Sequence, residues 1–257
     1  WSDPSFWETG LLRSSDWKAG WISADLHENT QLPSPAHMLR KSFVLKDKVA
    51  NARLYITSLG LYQAELNGKP VGDQVLTPGW TAYQDHIQYQ TYDVSYLLKT
   101  GQNALAVTVG DGWYRGKVYA PNARNVYGDR LGLLALLILE TGDGGRVAIG
   151  TGENWKCAAG PLIKADMKDG EVYDARLEMP GWCTAGYDDT GGKSVRVAPH
   201  SKNHLVASMG VPVRQKEAFK PLAILTTPKG ETVIDFGQNL AGVVHMRVHG
   251  PAGTKVH

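Results

Sequence analysis

Asn103-Ala-Leu-Ala-Val-Thr-Val109 runs straight into Gly110-Asp-Gly-Trp-Tyr-Arg115, and this junction organises the reading of the chain. The first stretch is an apolar strand. The second sets one acid between two glycines, which reach backbone angles closed to other residues, so a sharp turn is expected there. Asp111 then stands at a strand end beside Trp113, Tyr114 and Arg115. A carboxylate, aromatic rings and a guanidinium together suit a sugar: the rings pack on its C–H face and the charges take its hydroxyls. The same residues also read as a tight turn with a buried tryptophan.

Working outward, Asn51 to Ser58 alternates, with Ala52, Leu54 and Ile56 on one face and Arg53, Tyr55 and Thr57 on the other. That is the period of a half-buried strand. Gly60 ends it, Leu61 to Leu66 starts the next strand, and Asn67-Gly68 is a strong hairpin signal. Pro70 lacks the N–H a ladder needs, which predicts an edge position. Leu39–Leu45, His86–Val94 and Arg146–Ile149 also read as strands, Gly132–Glu140 as a buried one, and Tyr96–Leu98 as a short helical turn. Asp188 to Lys202 is polar and Gly-rich and reads as a linker. Beyond it, Val211–Phe219, Leu222–Leu225, Thr232–Asp235 and Val243–His249 read as short strands. Trp1, Phe6, Trp7, Trp17 and Trp21 crowd the opening segment, which therefore needs a surface to cover.

Bulk properties narrow the function. The formal charge is +2 with no basic stripe, which argues against nucleic acid as a partner. The longest apolar run, Leu131 to Leu139, is too short to span a bilayer, so no membrane is expected. The chain opens at Trp1 without a Met, and the true N-terminus is expected further upstream. Two cysteines make no disulfide framework and leave the compartment open. There is no P-loop, no Gly-x-Gly-x-x-Gly, no Gly-x-Ser-x-Gly, no His-Glu-x-x-His and no Cys-x-x-Cys, so nothing points to a catalytic metal or redox pair. Asp169-Gly-Glu-Val-Tyr-Asp-Ala-Arg176 is a second chemically dense stretch. There Asp174 and Arg176 share a face and read either as an ion pair clipping a loop or as ligand contacts. Asp111, Asp129, Glu171 and Asp174, with Asn122 and Asn125 nearby in sequence, are hard-oxygen donors that suit calcium, although without EF-hand spacing.

Several ordered motifs carry a resemblance: Asn67-Gly-Lys-Pro-Val-Gly72, Leu76-Thr-Pro-Gly-Trp-Thr-Ala-Tyr83, Tyr89-Gln-Thr-Tyr-Asp-Val94, Gly110-Asp-Gly-Trp-Tyr-Arg-Gly116 and Asp169 to Arg176. Together they resemble the N-terminal region of bacterial α-L-rhamnosidases of glycoside hydrolase family 78. Asp235-Phe-Gly-Gln-Asn-Leu-Ala-Gly242 resembles the start of the next β-domain of those enzymes. The resemblance implies an all-β chain: a jelly-roll, galactose-binding-like β-sandwich over residues 38–198, followed by the first strands of a second β-sandwich over 199–257. Residues 1–37 are expected to close a preceding immunoglobulin-like domain and lead into the jelly roll. It implies a non-catalytic, carbohydrate-binding or accessory role, with no catalytic residue here and an (α/α)6 catalytic barrel of the same parent chain as partner. L-rhamnose or a rhamnosylated glycan is the implied ligand. Asp111, Trp113, Glu171, Asp174 and Arg176 are the expected sugar contacts, and Asp111, Asp129 and Glu171 the expected calcium ligands. The alternative is a structural spacer with no ligand. A periplasmic or extracellular setting is favoured over a cytoplasmic one.

Overall fold

Most of the alternating and doubly apolar segments become strands. The computed structural model describes residues 3–5, 7–121 and 123–256. Trp1, Phe6 and Asn122 lie outside them. The strands are β1 (Trp21–Ala24), β2 (His37–Leu45), β3 (Val49–Leu59), β4 (Leu61–Leu66), β5 (Lys69–Pro70), β6 (Ile87–Asp93), β7 (Gly101–Gly110) and β8 (Gly132–Thr141). They continue with β9 (Arg146–Gly150), β10 (Lys156–Ala159), β11 (Leu162–Asp166), β12 (Gly170–Tyr173), β13 (Lys193–Ala198), β14 (Leu205–Ala207), β15 (Ala223–Thr226) and β16 (Thr232–Asp235). One helical turn, α1 (Gly112–Arg115), follows β7, and Ser95–Leu97 forms a 3-10 turn. No helix among the described residues is long and apolar enough to cross a membrane.

The main sheet runs β14-β6-β3-β8-β1-β13-β10-β2-β7-β4-β5, with β9 added to β8. Strand β13 is the joint, pairing with β1 on one side and β10 on the other. The ladder thus folds into a jelly-roll β-sandwich, one layer centred on β3 and β8 and the other on β2 and β7. Leu54, Ile56, Leu133 and Leu137 of the first layer pack in one buried cluster with Leu39, Leu105, Val107 and Val109 of the second. Such burial is the main favourable term in folding.

A second cluster covers the outer face of the first layer. Tyr55, Leu59, Leu134 and Leu136 point out from β3 and β8 and are buried by Trp17, Trp21, Tyr83, Tyr89 and Tyr114. The Trp17 ring meets Tyr89 edge-on at 5.2 Å and Tyr55 at 6.4 Å. This is the surface that the aromatic opening segment needs. It also corrects the reading of Asn51–Ser58 as half-buried, since Tyr55 and Thr57 on its second face are buried too.

The hairpin at Asn67-Gly68 forms as expected, with both residues at positive φ (55° and 77°), the primed turn that matches strand twist. Asn67 locks it by accepting from the Ala104 N–H at 2.9 Å and donating to the Asn103 side chain at 2.8 Å. Pro70 lies on the terminal strand β5.

Elsewhere the structure departs from what the sequence suggests. The polar stretch Asp188–Lys202 is no linker, because it contains β13, whose edges are both paired. Residues 1–37 do not stand apart from the sandwich: β1 pairs with β8 and β13 inside it. The compact units divide at Trp1–Val213 and Arg214–His257 rather than at residues 37 and 198. Within the second unit β15 and β16 form an antiparallel hairpin, while Val243–His249 forms no strand of its own.

Candidate functional site

The glycine-flanked acid lies inside the protein. Strand β7 ends at Gly110 in ordinary extended backbone; Gly112 alone takes the left-handed region, at φ 52°. A Cβ on Gly112 would sit 2.5 Å from Leu61 Cγ and 2.9 Å from the Leu61 backbone nitrogen, so glycine is required where α1 begins against β4. The helical turn brings Arg115 back over Asp111. Both side chains are wholly buried, and Arg115 Nη2 lies 2.7 Å from Asp111 Oδ1. The other carboxylate oxygen accepts from Arg124 at 2.6 Å, and Arg124 reaches on to Asp166 at 2.5 Å.

The network continues toward the N-terminal segment. Glu28 receives Arg115 through both oxygens, at 3.0 and 3.2 Å, and His37 Nε2 lies 2.8 Å from Glu28 Oε1. Burial alone would raise the Glu28 carboxyl, but the hydrogen bonds and charges of His37 and Arg115 outweigh it and hold it at about 2. Asp166 is also pressed upward by burial, yet backbone N–H groups of Asp169, Lys168 and Lys117 and the Arg124 charge carry it below the usual carboxylate range. Three acids and two arginines, with His37 at one end, thus form one chain of buried charge. Arg124 also donates to the Leu32 carbonyl and Asn125 to the Thr30 carbonyl, so the network ties the strand-crossing segment 25–36 to the loop after α1.

This placement corrects the expected roles of Asp111. Its oxygens are both taken by guanidiniums, and none of the carboxylate is exposed to a sugar or a cation. Glu171 is exposed on β12, paired in register with Ala165. Asp174 accepts from its neighbour Arg176 at 2.8 and 2.6 Å and from the Arg176 N–H at 3.1 Å. The Arg176 hydrogen bonds, first among the causes, hold the Asp174 carboxyl at about 2. This pair clips the turn after β12. Asp129 is exposed. Among the described residues no group of three or more His, Cys, Asp or Glu side chains is placed to hold a metal ion. Asp111, Asp129 and Glu171 therefore do not fit calcium, and no step through calcium follows from them.

Trp113 has a different setting. It projects from α1 and stacks on Trp80, with centroids 5.9 Å apart and planes 7° from parallel. Tyr119 tilts against Trp80 at 5.6 Å. Trp80 Nε1 donates to the Tyr127 hydroxyl at 3.0 Å, and the Tyr119 and Tyr127 hydroxyls meet at 2.5 Å. Trp80 and Tyr119 remain 44% and 52% exposed, while Trp113 and Tyr127 are half-buried against the second core cluster. Tyr83 supports the rim from beneath, edge-on to Tyr127 at 4.9 Å and to Tyr114 at 5.2 Å. The sequence reading named Trp113 but passed over Trp80, Tyr119 and Tyr127. The signal available was Pro78-Gly-Trp80, a turn carrying an aromatic.

A jelly-roll sandwich with a buried ionic brace and an aromatic rim defines the class: an all-β, jelly-roll module. The family described as the alpha-L-rhamnosidase N-terminal domain matches residues 47–217, and the bacterial alpha-L-rhamnosidase concanavalin-like domain matches residues 225–257. An alpha-L-rhamnosidase of Streptomyces avermitilis is 42% identical over 261 residues, covering all of this chain and 25% of that protein. The crystal structure of native α-L-rhamnosidase from Aspergillus terreus matches with a TM-score of 0.88 at 43% identity, over 91% of this chain and 27% of that one. The Streptomyces avermitilis enzyme complexed with L-rhamnose matches with a TM-score of 0.77 at 43% identity, over 81% of this chain and 20% of that one. This chain belongs to the α-L-rhamnosidase N-terminal domain family. It spans about a quarter of the length of the curated relatives it matches.

Proposed function

We propose that the chain is a non-catalytic front part of an α-L-rhamnosidase and that its sandwich holds L-rhamnose or a rhamnosylated glycan through the aromatic rim. Hydrolysis belongs to a catalytic barrel elsewhere in the parent protein, and this chain alone leaves an aryl α-L-rhamnoside intact. The observation that carries the reading is the aromatic cluster of Trp80, Trp113, Tyr119 and Tyr127, in which Trp80 and Tyr119 are exposed while Trp113 and Tyr127 are half-buried against the second core cluster. A deoxyhexose offers an apolar face for the rings and hydroxyls for the phenols. The relative solved with L-rhamnose supports the choice of sugar.

Calorimetric titration of the chain with L-rhamnose tests this. Saturable binding in the millimolar range is expected. The Trp80→Ala change should weaken it about tenfold, the worth of roughly one aromatic contact of ~1.4 kcal/mol. Trp80 is 44% exposed but stacks on Trp113 and hydrogen-bonds Tyr127, so the melting temperature should fall by only a few degrees, with the variant still folded during the titration. A folded chain that takes up no heat with rhamnose would leave it a spacer in the parent enzyme.

A further inference from the structure

A cleft in the sandwich is lined by none of the residues of the aromatic rim. The register of β1 on β13, Ala24 opposite Val195, sends the segment after β1 alongside the start of β13. Between them opens a cavity of about 420 Å³ lined by Asp25, His27, Glu28, Thr30, Arg130, Lys193 and Arg196, with Leu26 the one apolar side chain in it. That size falls within the ~300–1,000 Å³ of small-molecule pockets.

The charges in this cleft are unequally committed. Asp25 is ion-paired with Arg196. Glu28 gives both oxygens to Arg115 behind the cleft wall, and one of them to His37 as well. Both acids are therefore already matched. Arg130 and Lys193 are not: among the described residues neither side chain makes a hydrogen bond or an ion pair. Two unmatched cations line a concave polar space whose lining also includes Thr30. Arginine's planar fork suits a carboxylate, lysine supplies a point charge, and a concave site concentrates the field of both.

We infer that this cleft binds a sugar acid, a single monosaccharide ring whose carboxylate is taken by Arg130 and Lys193. The cation pair assigns the anion independently of the rim; the sugar ring rests on the glycan-binding role proposed above. A site of this kind would let the chain recognise an acidic residue of a glycan at a point separate from the rhamnose contact.

The experiment is titration of the full chain with sodium glucuronate, with glucose as the neutral control and sodium sulfate as the bare anion. Each is repeated on Arg130→Gln and Lys193→Gln, alone and together. The expected result is saturable glucuronate binding, at least about tenfold weaker in the double variant and weakened by salt, with glucose silent and sulfate at least about tenfold poorer. Both positions are exposed, so melting of the variants should match the parent chain. Glucuronate binding that is absent, or indifferent to both substitutions, overturns the site. Sulfate binding as well as glucuronate overturns the sugar acid and leaves a bare anion site. Rhamnose binding lost in Trp80→Ala but retained in the double variant would show that the two sites fail separately.

Discussion

Replacing Asp111 by alanine discriminates between a brace and a ligand contact. The side chain is wholly buried and neutralises two guanidiniums, Arg115 at 2.7 Å and Arg124 at 2.6 Å. Removing one partner of a buried ion pair costs about 3–5 kcal/mol, mostly because the remaining charge stays desolvated. Here each arginine keeps one carboxylate, Arg115 on Glu28 and Arg124 on Asp166. The expected loss is therefore at the lower end, about 3 kcal/mol. For a unit of this size that lowers the melting temperature by roughly 6–12 °C. Asp111→Asn retains an acceptor and the side-chain shape and should lose less. The assay is thermal and urea unfolding followed by circular dichroism, with rhamnose titration of the same preparations below the transition. A shift of several degrees with rhamnose binding intact in the folded variant is expected. Melting within about 1 kcal/mol of the parent, accompanied by lost rhamnose binding, would refute the structural role and return Asp111 to the ligand.

Two further outcomes follow from buried charge. Glu28 is held at about 2, below its ordinary 4.5, so its contribution is complete above pH 4.5 and is lost as pH falls from 4.5 toward 2. The gross value is roughly 3 kcal/mol, reduced to about 2 because the group sits at a hydrated cleft wall. Glu28→Gln should flatten the acid limb of a plot of melting temperature against pH, and superimposable limbs would contradict this. Arg40 is fully buried, ion-paired with Asp189, and donates to the Thr184 carbonyl at 2.9 Å while its guanidinium lies 5.6 Å from Trp182 and 5.3 Å from Tyr187. Arg40→Ala should cost about 3 kcal/mol and expose 182–189 to protease; a protease pattern unchanged from the parent would show that the segment is held by other contacts.

Strand period, the Asn67-Gly68 turn and the Pro70 edge were legible because each depends on neighbours in sequence. The Lys193–Ala198 strand was not. Its composition is that of a loop, and it becomes a strand because β1 and β10 offer it two edges. The second face of β3 misled for a related reason. Tyr55 and Thr57 look like solvent-facing residues until Trp17, more than thirty positions earlier, closes over that side of the sheet.

Local chemistry was likewise visible without its orientation. The sequence alone determined an all-β chain, the strand leading into Gly110, a sharp turn at the Gly110–Gly112 pair, and motifs resembling a rhamnosidase front region. It also marked Asp111, Trp113, Asp174 and Arg176 as chemically loaded. Only the tertiary structure decided that Asp111 points inward to two arginines, one of them thirteen residues away, and that Trp113 stacks on Trp80. The physical reason is that a charge's role depends on what neutralises it. Those partners come from Glu28, Arg124 and Asp166, brought together by the folding of separate strands and loops rather than by spacing along the chain.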